Sequence, residues 1–264
     1  MESLRLIYYS PTGTTQTIVR EIGQNLGLKL VSEINIAKNR ITTAIDSSSS
    51  CLTIIGMPVY GGRLPLTAIE SLKQLRSNNS PVVIVVVYGN RHFDDALLEL
   101  KEIVSSSGFS VIAGAAFIGE HSYSTRLKPI AQNRPDKQDI EKCKVFAQMI
   151  IEKTTNAPIE CKPAEPFIPG SYPYKERRQF PATIQPIVNN DLCILCGICI
   201  DACPTSAITI SQTVIPNGEL CTLCCACVKQ CPQGALTLNH PLLEPIKENL
   251  FLNFSVRKEP QFFV

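Results

Sequence analysis

Two runs of four cysteines constrain this chain more than any other feature of its sequence. Both runs have the spacing C-x2-C-x2-C-x3-C-P, and the second begins at Cys221, 28 residues after Cys193. Three thiolates at such intervals can surround one iron–sulfur cluster from a single loop, while the fourth, one helical turn further on, reaches the other cluster of a pair. The spacing therefore predicts two [4Fe–4S] clusters with crossed ligands. One cluster is expected on Cys193, Cys196, Cys199 and Cys231, and the other on Cys221, Cys224, Cys227 and Cys203.

Zinc and disulfide bonds are the alternatives that these cysteines allow. Structural zinc sites use C-x2-C pairs, but as two pairs separated by a longer stretch. The total of 12 cysteines would suit a disulfide scaffold, yet dense disulfides belong to small secreted domains. Because the full run occurs twice, iron–sulfur is favoured. Cys225 stands where the first run has Gly197, and we expect it to be an apolar filler rather than a ligand, with tuning of the neighbouring cluster as the alternative.

Length and charge narrow the class of protein further. With 264 residues, 44% of them hydrophobic, the chain can build a second domain with a full core. A net charge of +2 argues against nucleic-acid partners. The longest uninterrupted apolar stretch, Val82–Val87, is too short to span a membrane. The N-terminus leads directly into a strand pattern rather than a signal peptide, so we expect a cytoplasmic protein, and the oxygen sensitivity of exposed clusters favours an anaerobe.

The first 154 residues alternate between strand and helix patterns. Short apolar runs rich in β-branched residues are separated by segments with apolar residues at helical spacing. Five strands with intervening helices predict an α/β fold with a doubly wound parallel sheet. The predicted strands are Arg5–Tyr9, Leu28–Ile34, Cys51–Ile55, Val82–Tyr88 and Phe109–Phe117. The predicted helices are Thr14–Gly27, one after Pro65, one along Phe93–Val104 and one from about Asp136 to Lys153.

The loop after the first strand has the composition of a phosphate site. Doubly wound sheets bind ligands beyond the carboxyl ends of their strands. Here hydroxyls and backbone amides precede a helix, which favours a phosphate, and Gly13 allows close backbone approach. The loop has no lysine, so it is not a P-loop. Ordinary N-capping is the alternative, but four hydroxyls exceed what one cap needs. The candidate residues are Ser10, Thr12, Gly13, Thr14 and Thr15.

This segment closely resembles the phosphate loop of flavodoxins, and the order of elements agrees with that family. The resemblance implies a bound FMN, because the loop suits a terminal phosphate and the chain has no G-x-G-x-x-G motif. It also implies two ring-binding loops, with Tyr60 stacking on the ring and Asn90 bonding its pyrimidine edge. Arg91 or His92 would stabilise the reduced, anionic ring, with a solvated Arg91 as the alternative. The implied ring-loop residues are Pro58, Val59, Tyr60, Gly61 and Gly62, followed by Gly89, Asn90, Arg91, His92, Phe93 and Asp95. A third loop, residues 119–124, either contacts this site or only closes the sheet.

Residues 187–240 resemble bacterial two-cluster ferredoxins, and the whole chain resembles a flavodoxin–ferredoxin fusion family. This implies a five-stranded flavodoxin-like FMN domain at 1–154, a proline-rich linker at 155–186, a smaller α+β two-cluster ferredoxin domain at 187–240 and a C-terminal tail at 241–264. We expect the linker to be stiff and the tail to dock on a domain, with a partner contact as the alternative. The mildly basic first domain and the acidic ferredoxin segment would favour mutual contact. Three further cysteines, Cys51, Cys143 and Cys161, are expected to be structural.

These implications predict an electron-transfer protein that passes electrons between FMN and the two clusters. Such a protein links one-electron and two-electron partners, and its partners are expected to be redox proteins; the donor, the acceptor and the oligomeric state stay open. A carrier is favoured over a substrate-specific oxidoreductase, because the motifs supply no general acid, nucleophile or substrate pocket. The alternatives are a flavin-dependent reductase of a quinone or oxygen species, fed through the ferredoxin domain, and an electron-input subunit of a larger complex.

Overall fold

A mostly parallel sheet forms the centre of the N-terminal part. The computed structural model describes residues 1–42, 45–47, 50–156 and 164–264. Five parallel strands lie side by side in the spatial order 2-1-3-4-5 of flavodoxin-like sheets. In that order they are β2 (Lys29–Asn35), β1 (Ser3–Tyr8), β4 (Cys51–Pro58), β6 (Pro81–Tyr88) and β7 (Ser110–Ile118). The predicted fold class, with its five-stranded parallel sheet, is thus confirmed. A separate parallel pair consists of β3 (Ile45–Ser47) and β5 (Leu75–Ser77).

Helices cover both faces of the sheet. One face carries α1 (Thr14–Gln24) and α4 (Lys137–Asn156), and the other carries α2 (Leu66–Leu72) and α3 (Ala96–Ser106). The central strand β6 is a run of Val and Ile buried on both faces, as parallel strands between two helical layers usually are. Because side chains alternate along a strand, Val83 and Val85 join the cluster under α1 and α4, while Ile84 and Val86 join the cluster under α3.

The C-terminal tail adds a sixth strand to this sheet. It contains α7 (Glu244–Asn253) and then β12 (Gln261–Phe263), which pairs antiparallel with β7 at the sheet edge. Phe262 packs on Phe117 and Phe146, with ring centroids 5.6 and 5.0 Å away. The tail therefore docks on the flavodoxin-like part through main-chain pairing and aromatic contacts together.

The described part of the linker, from residue 164 onwards, lies along the α3 side of the sheet. Ile168 is buried in the cluster beneath α3, and the Asp95 carboxylate accepts hydrogen bonds from the amides of Ser171 and Lys175, at 2.8 and 2.7 Å. Arg177 donates to Glu99, which also pairs with Arg63. These contacts hold the linker against one domain. Residues 157–163, including Cys161, lie outside the described residues.

Residues 187–240 form a small α+β unit with an internal repeat. Its strands pair antiparallel: β8 (Ile187–Val188) with β11 (Leu236–Thr237), and β9 (Ile208–Ile210) with β10 (Val214–Pro216). The short helices α5 (Ile198–Ala202) and α6 (Ala226–Gln230) follow the two cysteine loops. Within the described ranges, the helices are too short or too polar to cross a membrane.

Candidate functional site

Two cavities lie among the cysteines, and cysteines from both runs line each of them. The first-loop cavity is lined by Cys193, Cys196, Cys199 and Cys231. The second-loop cavity is lined by Cys221, Cys224, Cys227 and Cys203, the predicted ligand set, and also by Cys225. The fold thus brings together the two crossed sets of thiols that the sequence spacing predicts. The crossing arises because each fourth cysteine closes a short helix that leads away from its own loop toward the other one.

The arrangement of the thiols bears on whether a cluster or a single metal ion would bind. Nowhere in the described chain do three or more His, Cys, Asp or Glu side chains converge closely enough for a single metal ion. Thiols around a cavity suit a cluster, in which each thiolate binds a different iron.

Local backbone geometry is nearly the same in the two loops. Leu195 and Leu223 both adopt φ of 55°, and Gly197 and Cys225 follow with φ of 80° and 59°. This left-handed turn wraps each loop around its cavity, and it is easy for Gly197 but uncommon for a residue with a side chain such as Cys225. The repeated turn shows that both runs fold in the same way.

Backbone amides hydrogen-bond to the fourth cysteine of each run. The Ala207 amide donates to Cys203 Sγ at 3.1 Å, and the Ala235 amide donates to Cys231 Sγ at 3.3 Å. Such N–H donors favour the thiolate form and raise the potential of a cluster bound to it. Because both alanines follow their cysteine by four residues, the repeat supplies the same donor to both cavities.

Burial raises the pKa of thiols in the second loop. Burial raises the pKa of Cys224 to about 11 and that of Cys227 to about 12. These thiols are therefore protonated at neutral pH without a cluster, and binding one must release their protons. Burial likewise raises the pKa of the Cys225 thiol. Cys225 borders the second-loop cavity but also packs with Ile184, Leu238 and Leu243, which suits the expected role as an apolar filler.

The second loop packs against the carboxyl end of the flavodoxin-like sheet. Tyr60 contacts Ala202, Cys224 and Ala226 of the ferredoxin-like unit. Two polar contacts flank it: Gln230 Nε2 donates to the Pro11 carbonyl at 2.7 Å, and Lys229 Nζ lies 2.6 Å from Glu120 Oε1. Burial raises the pKa of Tyr60 well above its usual value, with the neighbouring Cys224 thiolate as the next cause. The second-loop cavity therefore lies beside the loop that contains Tyr60.

The phosphate loop retains free donors at the start of α1. Ser10 Oγ accepts from the Gln16 amide at 3.0 Å and caps the helix, and Gly13 adopts φ of 87°. In the described part of the chain, no acceptor pairs with the backbone amides of residues 12–15. The hydroxyls of Thr12 and Thr14, 3.5 Å apart, lie beside these amides. This donor set fits a phosphate group, whereas Thr15 is buried against the helix.

The first ring loop is a tight turn under the second domain. The Tyr60 amide donates to the Arg63 carbonyl at 2.8 Å, and Gly61 and Gly62 between them adopt φ of 61° and 90°. A Cβ on Gly62 would lie 2.1 Å from Asp94 Oδ2. The two glycines are thus required by the turn and its packing. Pro58, Val59 and Tyr60 are partly exposed on this loop, so they remain available to a flavin ring.

The second ring loop is tied to other parts of the chain. Asn90 Nδ2 donates to the Phe254 and Val256 carbonyls of the tail, at 2.6 and 2.8 Å, and Asp95 holds the linker. Phe93 is a core residue beneath Phe263, and His92 stacks on its outer face at 4.9 Å. Arg91 pairs with Asp94. Of this loop, Gly89, Arg91, His92 and Asp94 keep exposed surface.

His121 is a neighbour of this site that the residue patterns did not single out. A Cβ on Gly89 would lie 2.2 Å from His121 Cδ2, so the histidine ring packs directly on that glycine. Burial lowers the pKa of His121 to about 4, and its Nδ1 accepts from the Tyr123 amide at 3.0 Å. Tyr123 in turn packs on the apolar cluster around Cys225. The third loop, for which the sequence leaves contact with the site open, therefore contacts both parts of the chain.

Comparisons with known proteins match different parts of the chain. The family model described as a 4Fe-4S binding domain matches residues 186–209, which contain the first cysteine run. A flavodoxin of Streptococcus pneumoniae TIGR4 is 19% identical, covering 57% of this chain and 99% of its own with a TM-score of 0.40. Flavodoxin 2 of Bacillus cereus is 20% identical over 57% and 99%, also with a TM-score of 0.40. The rubredoxin oxygen:oxidoreductase of Desulfovibrio gigas is 16% identical over 57% and 35%, with a TM-score of 0.40. No curated protein sequence matches the chain.

The strand order and the family match identify the two parts independently. The parallel order 2-1-3-4-5 is that of flavodoxin-like sheets, and the 4Fe-4S model covers the first cysteine loop. The chain therefore combines a flavodoxin-like domain with a ferredoxin-type 4Fe-4S domain, as in a flavodoxin–ferredoxin fusion, and this combination supports an electron-transfer role.

Proposed function

We propose that this protein is an electron carrier that holds two [4Fe–4S] clusters and one FMN and exchanges electrons among them. The observation that carries the proposal is the pair of cysteine-lined cavities, one of which lies against Tyr60 on the flavodoxin-like domain. The first-loop cavity would hold one cluster and the second-loop cavity the other. Bound clusters supply one-electron chemistry, and a flavin supplies both one- and two-electron chemistry.

Named residues of the flavodoxin-like domain would bind the parts of FMN. The amides of residues 12–15 and the hydroxyls of Thr12 and Thr14 would bind the FMN phosphate. Tyr60 would contact the ring from the side on which the second loop packs. Asn90 and Asp95 also anchor the tail and the linker. The Asn90 amide hydrogens are used by the tail, but Asn90 Oδ1 is buried without a hydrogen-bond partner within the described part of the chain, so it would accept from the N–H of the pyrimidine edge.

The covering of Tyr60 favours a carrier over a reductase of small substrates. A flavin-dependent reductase needs an open ring face, but Ala202, Cys224 and Ala226 pack against the Tyr60 side of the site. At the edge of this contact, Lys229 pairs with Glu120 and Gln230 donates to the Pro11 carbonyl. An electron entering or leaving at this face would therefore pass between the two domains rather than to a diffusing molecule.

Cofactor analysis of the anaerobically purified protein tests the proposal. We expect about eight irons and eight acid-labile sulfides per chain, as two [4Fe–4S] clusters require, together with one FMN. Electron paramagnetic resonance of the reduced protein should show two interacting clusters. Cys143→Ala serves as a control, because Cys143 is buried beneath α4 and should leave these counts unchanged. Stoichiometric zinc without labile sulfide would refute the cluster assignment, and absence of flavin would refute the FMN assignment alone.

Internal coupling is tested by dilution. If the domains exchange electrons within one molecule, flavin reduction after mixing with a one-electron donor should have a rate that does not depend on protein concentration. Stopped-flow absorbance over a dilution series measures this rate. A rate proportional to protein concentration would show that electrons pass between molecules, so that the fusion only delivers two separate carriers together.

A further inference from the structure

The two cysteine loops differ in their surroundings although they share one geometry. Three large apolar side chains of the first loop are open to solvent: Ile194 is 62% exposed, Leu195 is 45% exposed and Ile198 is 38% exposed. The thiol-bearing Cys196 beside them is also exposed. Leu192, just before the loop, is 47% exposed. We call these four apolar residues, Leu192, Ile194, Leu195 and Ile198, the first-loop face.

The second loop provides an internal comparison for this face. The equivalent of Leu192 is Leu220, which is 48% exposed, so this position does not distinguish the loops. The other equivalent positions, Thr222, Leu223 and Ala226, are all at least half-buried, and Ala226 is fully buried in the cluster against which Tyr60 packs. In the loop that is buried between the domains, Thr and Ala thus stand where the loop that faces solvent has Ile194 and Ile198. Solvent exposure alone would favour the opposite distribution. Clustered exposed apolar residues beside a cavity indicate a surface that another protein covers.

Charge defines the chemistry of that protein. Residues 187–228 contain Asp191, Asp201 and Glu219 but no Lys or Arg. Asp191 and Asp201 flank the first-loop face in sequence and are both exposed. The nearest cations along the chain on either side are Arg178, whose guanidinium lies over the Phe180 ring, and Lys229, which pairs with Glu120 at the domain interface. The face is therefore apolar at its centre and acidic at its rim, which complements an apolar patch surrounded by Lys and Arg.

We propose that the first-loop face is the docking surface for an external one-electron carrier protein with a basic rim. The second-loop cavity faces the flavodoxin-like domain, so the two cavities serve opposite sides: one exchanges electrons internally and the other externally. This inference rests on the proposed function. In each encounter, one electron leaves the reduced centre in the first-loop cavity and one oxidised centre of the partner accepts it, with no proton transferred.

Reduction of ferricytochrome c, a basic one-electron acceptor, tests the face. The protein is first reduced anaerobically with dithionite, the excess is removed, and the second-order rate is measured by stopped flow. Ile194→Gln should slow the reaction about tenfold, because an exposed apolar anchor is lost without disturbing a core. Asp201→Lys should slow it at least about threefold at low salt, and the difference should vanish near 1 M salt.

Matched controls keep the test specific. Ile215→Gln removes an apolar side chain that is 49% exposed on β10, outside both loops, and Glu2→Lys makes the same change of charge before β1. Both should react at the wild-type rate. Equal rates for wild type, Ile194→Gln and Asp201→Lys would overturn the proposal, as would an equal loss in the Ile215 control.

Two further measurements separate the possible outcomes. Iron content and electron paramagnetic resonance of every variant should match wild type; wild type without clusters would overturn the proposed function and this inference together. Normal clusters with unchanged rates in both face variants would overturn the docking inference alone. Sedimentation velocity identifies a competing occupant: a dimer of this chain that Ile194→Gln dissociates would show that a second copy, rather than a basic carrier, covers the face.

Discussion

Arg134 and Asp139 form a buried ion pair that stabilises the flavodoxin-like domain. A variant without this pair should unfold more readily than the wild type. Arg134 Nε donates to Asp139 Oδ2 at 2.9 Å, and the side chains are 4% and 0% exposed. Arg134 Nη1 also donates to the Lys258 carbonyl of the tail at 2.8 Å. Asp139 Oδ2 further accepts from the Asp136 amide at 2.9 Å. The pair thus joins the start of α4 to the segment that leads into β12.

Arg134→Met should lower the free energy of unfolding by about 3–5 kcal/mol. The Asp139 carboxylate would remain in a site without solvent, and removal of one partner of a buried pair typically costs this amount. With a urea dependence of about 3 kcal/mol per M, the unfolding midpoint should fall by roughly 1–2 M. Replacing both partners, as in Arg134→Met with Asp139→Leu, should recover most of the loss, because no buried charge is then left unpaired.

Urea unfolding followed by far-ultraviolet circular dichroism under anaerobic conditions measures these changes. Arg20→Met is the matched control, because Arg20 pairs with Glu33 from a side chain that is 48% exposed. Exposed pairs contribute at most about 1 kcal/mol, so its midpoint should move little. A midpoint for Arg134→Met no lower than that for Arg20→Met, at an unchanged urea dependence, would contradict the argument.

Three more predictions concern the site itself. Cys203→Ser should remove the cluster expected in the second-loop cavity while Cys225→Ser keeps iron near normal, as iron analysis and electron paramagnetic resonance would show; loss of a cluster in the Cys225 variant would mean that the ligand was assigned wrongly. Thr12→Val with Thr14→Val should weaken FMN binding by about tenfold or more per lost hydroxyl, and riboflavin binding little, in flavin fluorescence titrations; equal losses for both ligands would count against a phosphate site. His121 should be the histidine that stays neutral at pH 5 in a proton NMR titration, because burial lowers its pKa to about 4. Since the unfolded chain would bind that proton below about pH 6.5, the His121 contribution to stability should be complete at pH 7 and decline as the pH falls toward 4, and His121→Gln should lack this decline.

The sheet and the cysteine cavities could be predicted because their signals are local. The β-branched run around Val85 can only be buried on both faces, and it became the central strand β6. The spacing of the cysteines and their repeat predict that Cys203 lies with the second loop and Cys231 with the first, and both cavities have these linings. The predicted strand after the third helix and the predicted last helix lie within one to three residues of β7 and α4.

The contacts between distant segments could not be predicted, because no local pattern encodes them. The Asn90 amide hydrogens suit a flavin as well as they suit two carbonyls, and only the fold shows that the carbonyls of Phe254 and Val256 accept them. From the sequence, Asp95 is likewise an ordinary loop carboxylate, and only the fold shows that it accepts hydrogen bonds from the linker amides. The strand β12 is only three residues long, so its sequence is too short to show the alternating pattern that predicts a strand.

The way in which the domains are joined bears on how electrons pass between them. The expected attraction between a basic and an acidic domain is not what the interface shows: the ion pair at its margin has Lys229 on the ferredoxin-like side and Glu120 on the flavodoxin-like side. Such a partly exposed pair contributes little and weakens with salt.

Contacts that salt does not screen hold the two parts more firmly. Tyr60 packs on Ala202 and Ala226, β12 pairs with β7, and Lys247 of α7, which is 8% exposed, donates to the Leu238 carbonyl at 2.6 Å. The tail is thus bonded to both parts at once, so their separation would break either the main-chain pairing of β12 with β7 or the hydrogen bond from Lys247 to Leu238. An interface held in this way stays closed at any protein concentration. The rate of internal electron exchange should therefore be the same at 50 mM and 1 M salt, whereas exchange through the acidic first-loop face should depend strongly on salt.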